Sequence, residues 1–115
     1  MLQALRNAIA APVAVKENAR TFERMLFVEP CRVTRWGKEY QATTRNISKG
    51  GLCLDIEGMG SDAYDVELSI QLRDFEPILA TARWAHKRTF GVQFLTPVED
   101  NVDLLSLLAE LEAMR

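Results

Sequence analysis

The eight residues Val66-Glu67-Leu68-Ser69-Ile70-Gln71-Leu72-Arg73 alternate apolar and polar side chains without a break. Period two is the repeat of a strand with one face in a core and the other in water. Similar patterns recur along the chain. Cys31 to Trp36 is predicted as a strand, Gly37-Lys38 as a two-residue turn and Glu39 to Arg45 as its hairpin partner. Gly51 to Ile56 sets Leu52, Leu54 and Ile56 against Cys53 and Asp55, and Gly58 to Asp62 is a loop by composition. Ile78 to His86 follows Pro77, Lys87-Arg88 reverses the chain, and Phe90, Val92 and Phe94 share one face of the last strand. Six short antiparallel strands with one apolar face bury their edges by closing on themselves. The fold expected is therefore mainly β, a six-stranded antiparallel barrel over about residues 31–95.

The flanks differ in period. Leu2, Leu5 and Ile9 have helical spacing, and Ala10-Ala11-Pro12 ends that short helix because proline disfavours helix at the residue before it. Residues 13–30 show no period. At the other end, Thr96-Pro97-Val98-Glu99 fits a capping box, with Thr96 as N-cap, Pro97 at the first helical position and Glu99 reaching back. A helix is predicted over about residues 97–114, with Asp100 and Asp103 favourably placed near its start. Leu104, Leu107, Leu108 and Leu111 form its stripe, flanked by Val102 and Leu105. That stripe packs on the barrel or, being wide for a short helix, serves as a homodimer face. The division expected is an extension over residues 1–18 and one domain over 19–115.

Composition bounds the function. A chain of 115 residues forms one domain that buries roughly 65 to 70 % of its unfolded surface, so neither metal nor disulfide is required. A net charge of −2 argues against nucleic-acid binding, which calls for a broad basic footprint. The charge is uneven. Five acids and one arginine occupy the last nineteen residues, while Arg20, Arg24, Arg32, Arg35, Arg45 and Lys49 are followed by Arg83, Lys87 and Arg88. A local basic site of this kind suits a small anionic ligand. Cys31 and Cys53 are too far apart for a CxxC metal pair and are expected as reduced, mostly buried thiols. No run approaches eighteen apolar residues, and Gln3, Arg6 and Asn7 interrupt the N-terminus, so neither membrane insertion nor a signal peptide is expected. The cytoplasm is the expected compartment.

No catalytic constellation emerges. The single histidine, His86, stands at a strand end with no second histidine or nucleophile beside it, and the acids of the last helix already have a helix-dipole role. The chain is read as a non-enzyme without cofactor or metal. Two runs remain that can bind. Arg20 and Arg24 set two guanidinium forks four residues apart, matching phosphate oxygens and also guanine O6 and N7. Starting 22 residues after Arg24, Asn46-Ile47-Ser48-Lys49-Gly50-Gly51 forms a polar turn between two apolar-alternating runs. Asn46 offers an amide that donates and accepts, Ser48 a hydroxyl, and Gly50 and Gly51 a backbone that a ligand can approach closely.

RxxxR (Arg20, Arg24) followed by NxSxxG (Asn46, Ser48, Gly51) resembles the signature of PilZ domains, bacterial receptors for cyclic di-GMP. Pro30 before the first strand, Ala82-Arg83-Trp84 and Phe90-Gly91-Val92-Gln93-Phe94 also look PilZ-like, so the likeness covers roughly residues 19–96. It implies a six-stranded barrel, in agreement with the strand count, often followed by a C-terminal helix. It also implies that Arg20 and Arg24 bind phosphates and guanine edges, that Asn46 and Ser48 contact a guanine, and that Gly51 keeps the turn open. Trp84 is either a base-stacking platform, as some members use at this position, or a core tryptophan. Arg45 and Lys49 flank the turn and either add charge to the site or sit solvated. Ala19 stands where many members carry a further arginine, which leaves one or two bound ligands open.

The resemblance implies a cytoplasmic cyclic di-GMP sensor in which ordering of the RxxxR segment transmits occupancy to an unidentified protein partner in trans. The alternative is an adaptor of the same fold that binds protein and no nucleotide.

Overall fold

Seven strands, each antiparallel to its neighbours, build the described part of the chain, residues 23–62 and 64–115 of a computed structural model. They are β1 (Met25–Leu26), β2 (Pro30–Arg35), β3 (Lys38–Ile47), β4 (Gly51–Ile56), β5 (Glu67–Gln71), β6 (Ile78–His86) and β7 (Thr89–Phe94). The helix expected over residues 2–10, the 1–18 extension and Arg20 lie outside the described residues. Neighbours run β1-β3-β2-β5-β6-β7-β4, and β4 returns to pair with β3. That last pairing closes a six-stranded barrel, which removes every free edge of the ring.

The inward residues are those the alternation predicts. Val33, Leu52, Leu54, Ile56, Leu68, Ile70, Leu72, Phe90 and Val92 all lie in one buried cluster. Burial of this kind stabilises by about 25 cal/mol per Å² of apolar surface and is the main term holding the barrel closed.

Several boundaries differ from the expectation, each for a local reason. The first hairpin turn is Trp36-Gly37, not Gly37-Lys38, because Arg35 pairs with Lys38. Trp36 (φ 53°) and Gly37 (φ 79°) both have left-handed backbone, as in the type I′ turn whose twist matches the flanking strands. β3 runs on past Arg45 to Ile47, so Asn46 is a strand residue rather than part of a turn. The reason is a bulge: Thr44 faces Leu54 and Asn46 faces Cys53, leaving Arg45 as the extra residue. β5 is shorter than its alternating sequence, ending at Gln71 where Arg73 turns to a φ of 48°.

β1 has no sequence signature at all. It exists because the Met25–Leu26 pair adds to β3 beside Ile47 and Asn46, on the same edge that β2 occupies further along.

The capping box is not formed. Val98–Asp100 makes a 3₁₀ turn that seats buried Val98, with no side-chain cap, and Thr96 stays exposed. The helix proper, α1 (Val102–Ala113), is capped by Asn101, whose Oδ1 accepts from the Leu104 amide at 3.0 Å. Leu104, Leu107 and Leu108 join the barrel cluster, while Val102 stays exposed. The stripe therefore packs on the barrel. Arg73 pairs with Glu110 of α1 at 3.8 Å and with Glu29, the residue just before β2, at 2.6 Å.

Candidate functional site

Thr44 decides where Arg24 goes. It faces inward and is fully buried, yet it carries a hydroxyl that must find partners. The hydroxyl donates to the Phe27 carbonyl at 2.6 Å and accepts from the Glu29 amide at 2.8 Å. These bonds pin the 27–29 connector onto β3 where the β1–β3 and β2–β3 ladders are interrupted. Phe27 N also donates to the Arg45 carbonyl at 3.1 Å. With the connector fixed, β1 pairs Leu26 with Asn46 and Met25 with Ile47, and Arg24 emerges next to that register. Its charge reaches the Cys53 thiol, as does that of Arg45.

Cross-strand pairing then assembles one row on the outer face of the barrel. Leu26 faces Asn46, Asn46 faces Cys53, Cys53 faces Gly91, and Gly91 faces Trp84. Five strands contribute one residue each. A second bulge, at Arg83 between Ala82 and Trp84, turns Trp84 outward. Its residue is 41 % exposed, which rules out the core reading. The indole lies across Gly91: a Cβ there would stand 2.1 Å from Trp84 Nε1. Glycine at this strand position thus lets a flat aromatic surface lie down on the sheet.

The β3–β4 turn closes the other side. Ser48 N donates to the Gly51 carbonyl at 2.9 Å, and the Ser48 hydroxyl accepts from Gly50 N at 3.2 Å. Ser48 is itself buried, so its hydroxyl braces the turn. Gly51 is needed for space rather than for an unusual backbone angle, because a Cβ would fall 2.0 Å from the Val92 carbonyl oxygen. Lys49 stands exposed at the tip of the turn and Gly50 beside it is partly buried.

Both bulge arginines are held by aspartates, Arg45 by Asp55 at 3.4 Å and Arg83 by Asp65 at 2.9 Å. Asp55 also accepts from Thr89 Oγ1 at 2.7 Å, which fixes its carboxylate across β4 and β7. Cys53, expected as mostly buried, is instead partly exposed in the middle of the row. Burial raises its pKa against the pull of Arg45 and Arg24, so the thiol stays protonated near neutrality. Cys31, on the inner face, is pushed up to about 11 by burial and by the nearby Glu29 charge. His86 is exposed at the end of β6. Among the described residues, no group of three His, Cys, Asp or Glu side chains is placed to hold a metal ion.

Of the residues singled out in the sequence, Arg24, Asn46, Ser48, Lys49, Gly50, Gly51, Trp84 and Arg45 therefore converge on one flank of the barrel around the β3–β4 turn and the Asn46–Trp84 row. Arg20 lies outside the described residues. Sequence reasoning missed Thr44, Cys53 and Gly91. A polar residue on an inward position, an outward cysteine one strand from Asn46, and a lone glycine inside a strand were the available signals.

A family model described as the PilZ domain matches residues 18–110, most of the chain. The chain belongs to the PilZ family. No curated protein matches it. PilZ domains are in general cyclic di-GMP-binding adaptors rather than enzymes, and membership accounts for the closed barrel with its C-terminal helix. Among the described residues, no helix is long and apolar enough to cross a membrane.

Proposed function

We propose that this PilZ domain, residues 19–115, is a cytoplasmic cyclic di-GMP receptor that reports occupancy to a protein partner in trans. The observation that carries the reading is the Asn46–Cys53–Gly91–Trp84 row, with Arg24 delivered beside it by β1. A cyclic dinucleotide presents two phosphates and two guanine bases, and each has a suitable counterpart. Arg20 and Arg24 supply forked donors for phosphate oxygens and for guanine O6 and N7. Asn46 reads a guanine edge through its amide. Ser48 accepts from Gly50 N and keeps its own proton for donation to the ligand. Gly51 and Gly50 hold the turn backbone close to it. The exposed indole of Trp84 offers a stacking surface for one base, worth about 1–3 kcal/mol. Arg45 and Lys49 add positive charge around the anion.

Transmission follows from where the arginines sit. Arg20 and Arg24 precede β1 in the chain, and the two residues of β1 pair with β3. Binding orders that segment across the barrel face, and the surface so formed is what the partner reads.

Calorimetric titration with cyclic di-GMP tests the assignment. The expected result is saturable binding that Arg24→Ala weakens by about 10- to 100-fold, the loss of one charge-assisted contact. Parent-like binding by that variant would remove Arg24 from the site even with the ligand correct. No heat at high micromolar ligand from folded protein would leave the protein-only adaptor.

A further inference from the structure

Trp36 is explained neither by the core nor by its turn. The residue is 85 % exposed, the most exposed large apolar residue of the described chain. Its φ of 53° puts a bulky residue in the left-handed region, where the first position of a type I′ turn prefers asparagine, aspartate or glycine. A residue that is strained in its backbone and unburied in its side chain points outward for a reason other than folding.

The hairpin carrying it projects from the barrel. β4 ends at Ile56 opposite Ala42, and β5 pairs with β2 only as far as Thr34–Ser69, so the hairpin from Arg35 to Glu39 extends beyond both ladders, with Tyr40 packed against the core at its base. The projecting part joins aromatic and cationic groups. The Arg35 guanidinium stacks 4.1 Å from the Trp36 ring centroid, and Lys38 Nζ stands 5.2 Å from that of Tyr40. Glu39 is paired with Arg32 at 3.5 Å. Arg35 and Lys38 form no ion pair with a described residue, and the buried Arg35 Nε has no acceptor among them.

We propose that this hairpin tip is a docking element for an acidic protein partner. Trp36 enters an apolar slot and Arg35 and Lys38 meet carboxylates around it. Tryptophan, tyrosine and arginine are the residue types that dominate binding energy at protein interfaces, and uncompensated cations select an acidic surface. A bilayer fits less well. The loop between β4 and β5, at the same end of the barrel, exposes Glu57 and Asp62, which a flat anionic membrane would meet with repulsion. A narrow acidic slot touches the projecting tip alone. Along β3 the tip lies about 25 Å from Asn46 at a strand rise of about 3.3 Å per residue, so the proposal does not rest on the nucleotide reading.

The test uses the full chain and a displayed random-peptide library, selected on the parent protein and depleted on Trp36→Ala. The recovered peptides are expected to combine Asp or Glu with an apolar residue and to bind the Trp36→Ala chain about 30-fold more weakly. Trp36→Asn separates docking from folding, because asparagine is preferred at this turn position. That variant is expected to melt no lower than the parent and still lose the peptides. Recovery of no peptides, recovery of peptides without acids, or equal binding by Trp36→Asn overturns the proposal. So does Trp36-dependent binding to phosphatidylglycerol vesicles, which would assign the tip to a membrane.

Discussion

The two ends of β3 are both tight turns containing glycine, and they are built in opposite ways. At the Ser48–Gly51 end the polar groups are spent on holding position. Ser48 N, Ser48 Oγ and Gly50 N bond within the turn, and the Gly50 carbonyl accepts from Phe94 N at 3.0 Å. Thr44, Glu29 and Arg73 tie the same end to the 27–29 connector, to the β5–β6 loop and through Glu110 to α1. At the Trp36-Gly37 end the ladder simply stops, and a Cβ on Gly37 would meet nothing within 4 Å. A braced turn can hold ligand groups to fixed positions. A bare one can offer a large side chain to another molecule. The proposed nucleotide site draws on the braced end and the proposed protein contact on the bare one.

The largest expected effect comes from exchanging the two glycines' reasons for being there. Gly51→Ala drives a methyl into the Val92 carbonyl, so β4 and β7 must separate, a loss of about 2–3 kcal/mol in urea unfolding. Gly37→Ala meets open space and is strained by its φ of 79° alone, a loss of about 1 kcal/mol. Equal losses would break the comparison, since both glycines would then serve the same purpose.

A smaller effect distinguishes the ends by pH. The Arg73 hydrogen bonds hold the Glu29 carboxyl below its ordinary 4.5. A carboxylate depressed in the folded state adds stability that is complete above its unfolded pKa and fades as pH falls through the folded one. Glu29→Gln is therefore expected to cost about 1 kcal/mol at pH 7, and the gap from the parent should close on acidification below about 4.5. Denaturation curves across that window provide the check. A gap unchanged down to pH 3 would mean that the ion pair does not brace this end.

The smallest signal is a labelling rate. Cys53 lies partly exposed in the Asn46–Trp84 row and Cys31 is buried with its pKa raised to about 11, so a maleimide should modify Cys53 first and faster as pH rises. Cyclic di-GMP seated on the row should slow that reaction, read by mass spectrometry, without altering Cys31. Protection of neither thiol by a ligand that binds would move the ligand off the row.

Much of this site was legible in the chain, though its arrangement was not. RxxxR and NxSxxG can be read directly, because motif chemistry is carried by residue type and spacing. The bulges were less visible: Ala42, Thr44 and Ile47 point inward, as do Ala80, Ala82 and Ala85, and each series breaks period two by one residue. That single slip turned an expected turn residue, Asn46, into a strand residue, and turned Trp84 from an undecided position to the outer face. The helix start was misread for a related reason. Thr96 has the right chemistry for a cap, but burial of Val98 claims the chain first, and Asn101 caps the helix instead.

Alone, the sequence determined the alternation of the six barrel strands apart from the two bulges, and with it the apolar face, the six-stranded ring and the donor-rich runs on which the proposed ligand site rests. These are local properties, set by side-chain alternation and by donor and acceptor chemistry. Only the tertiary structure decided the register. Closing β4 onto β3 and β7 aligned Asn46, Cys53, Gly91 and Trp84 in one row, and the buried Thr44 hydroxyl fixed the connector that brings Arg24 to it. Those contacts join residues far apart in the chain, so their geometry depends on how the barrel closes and cannot be read from any one segment.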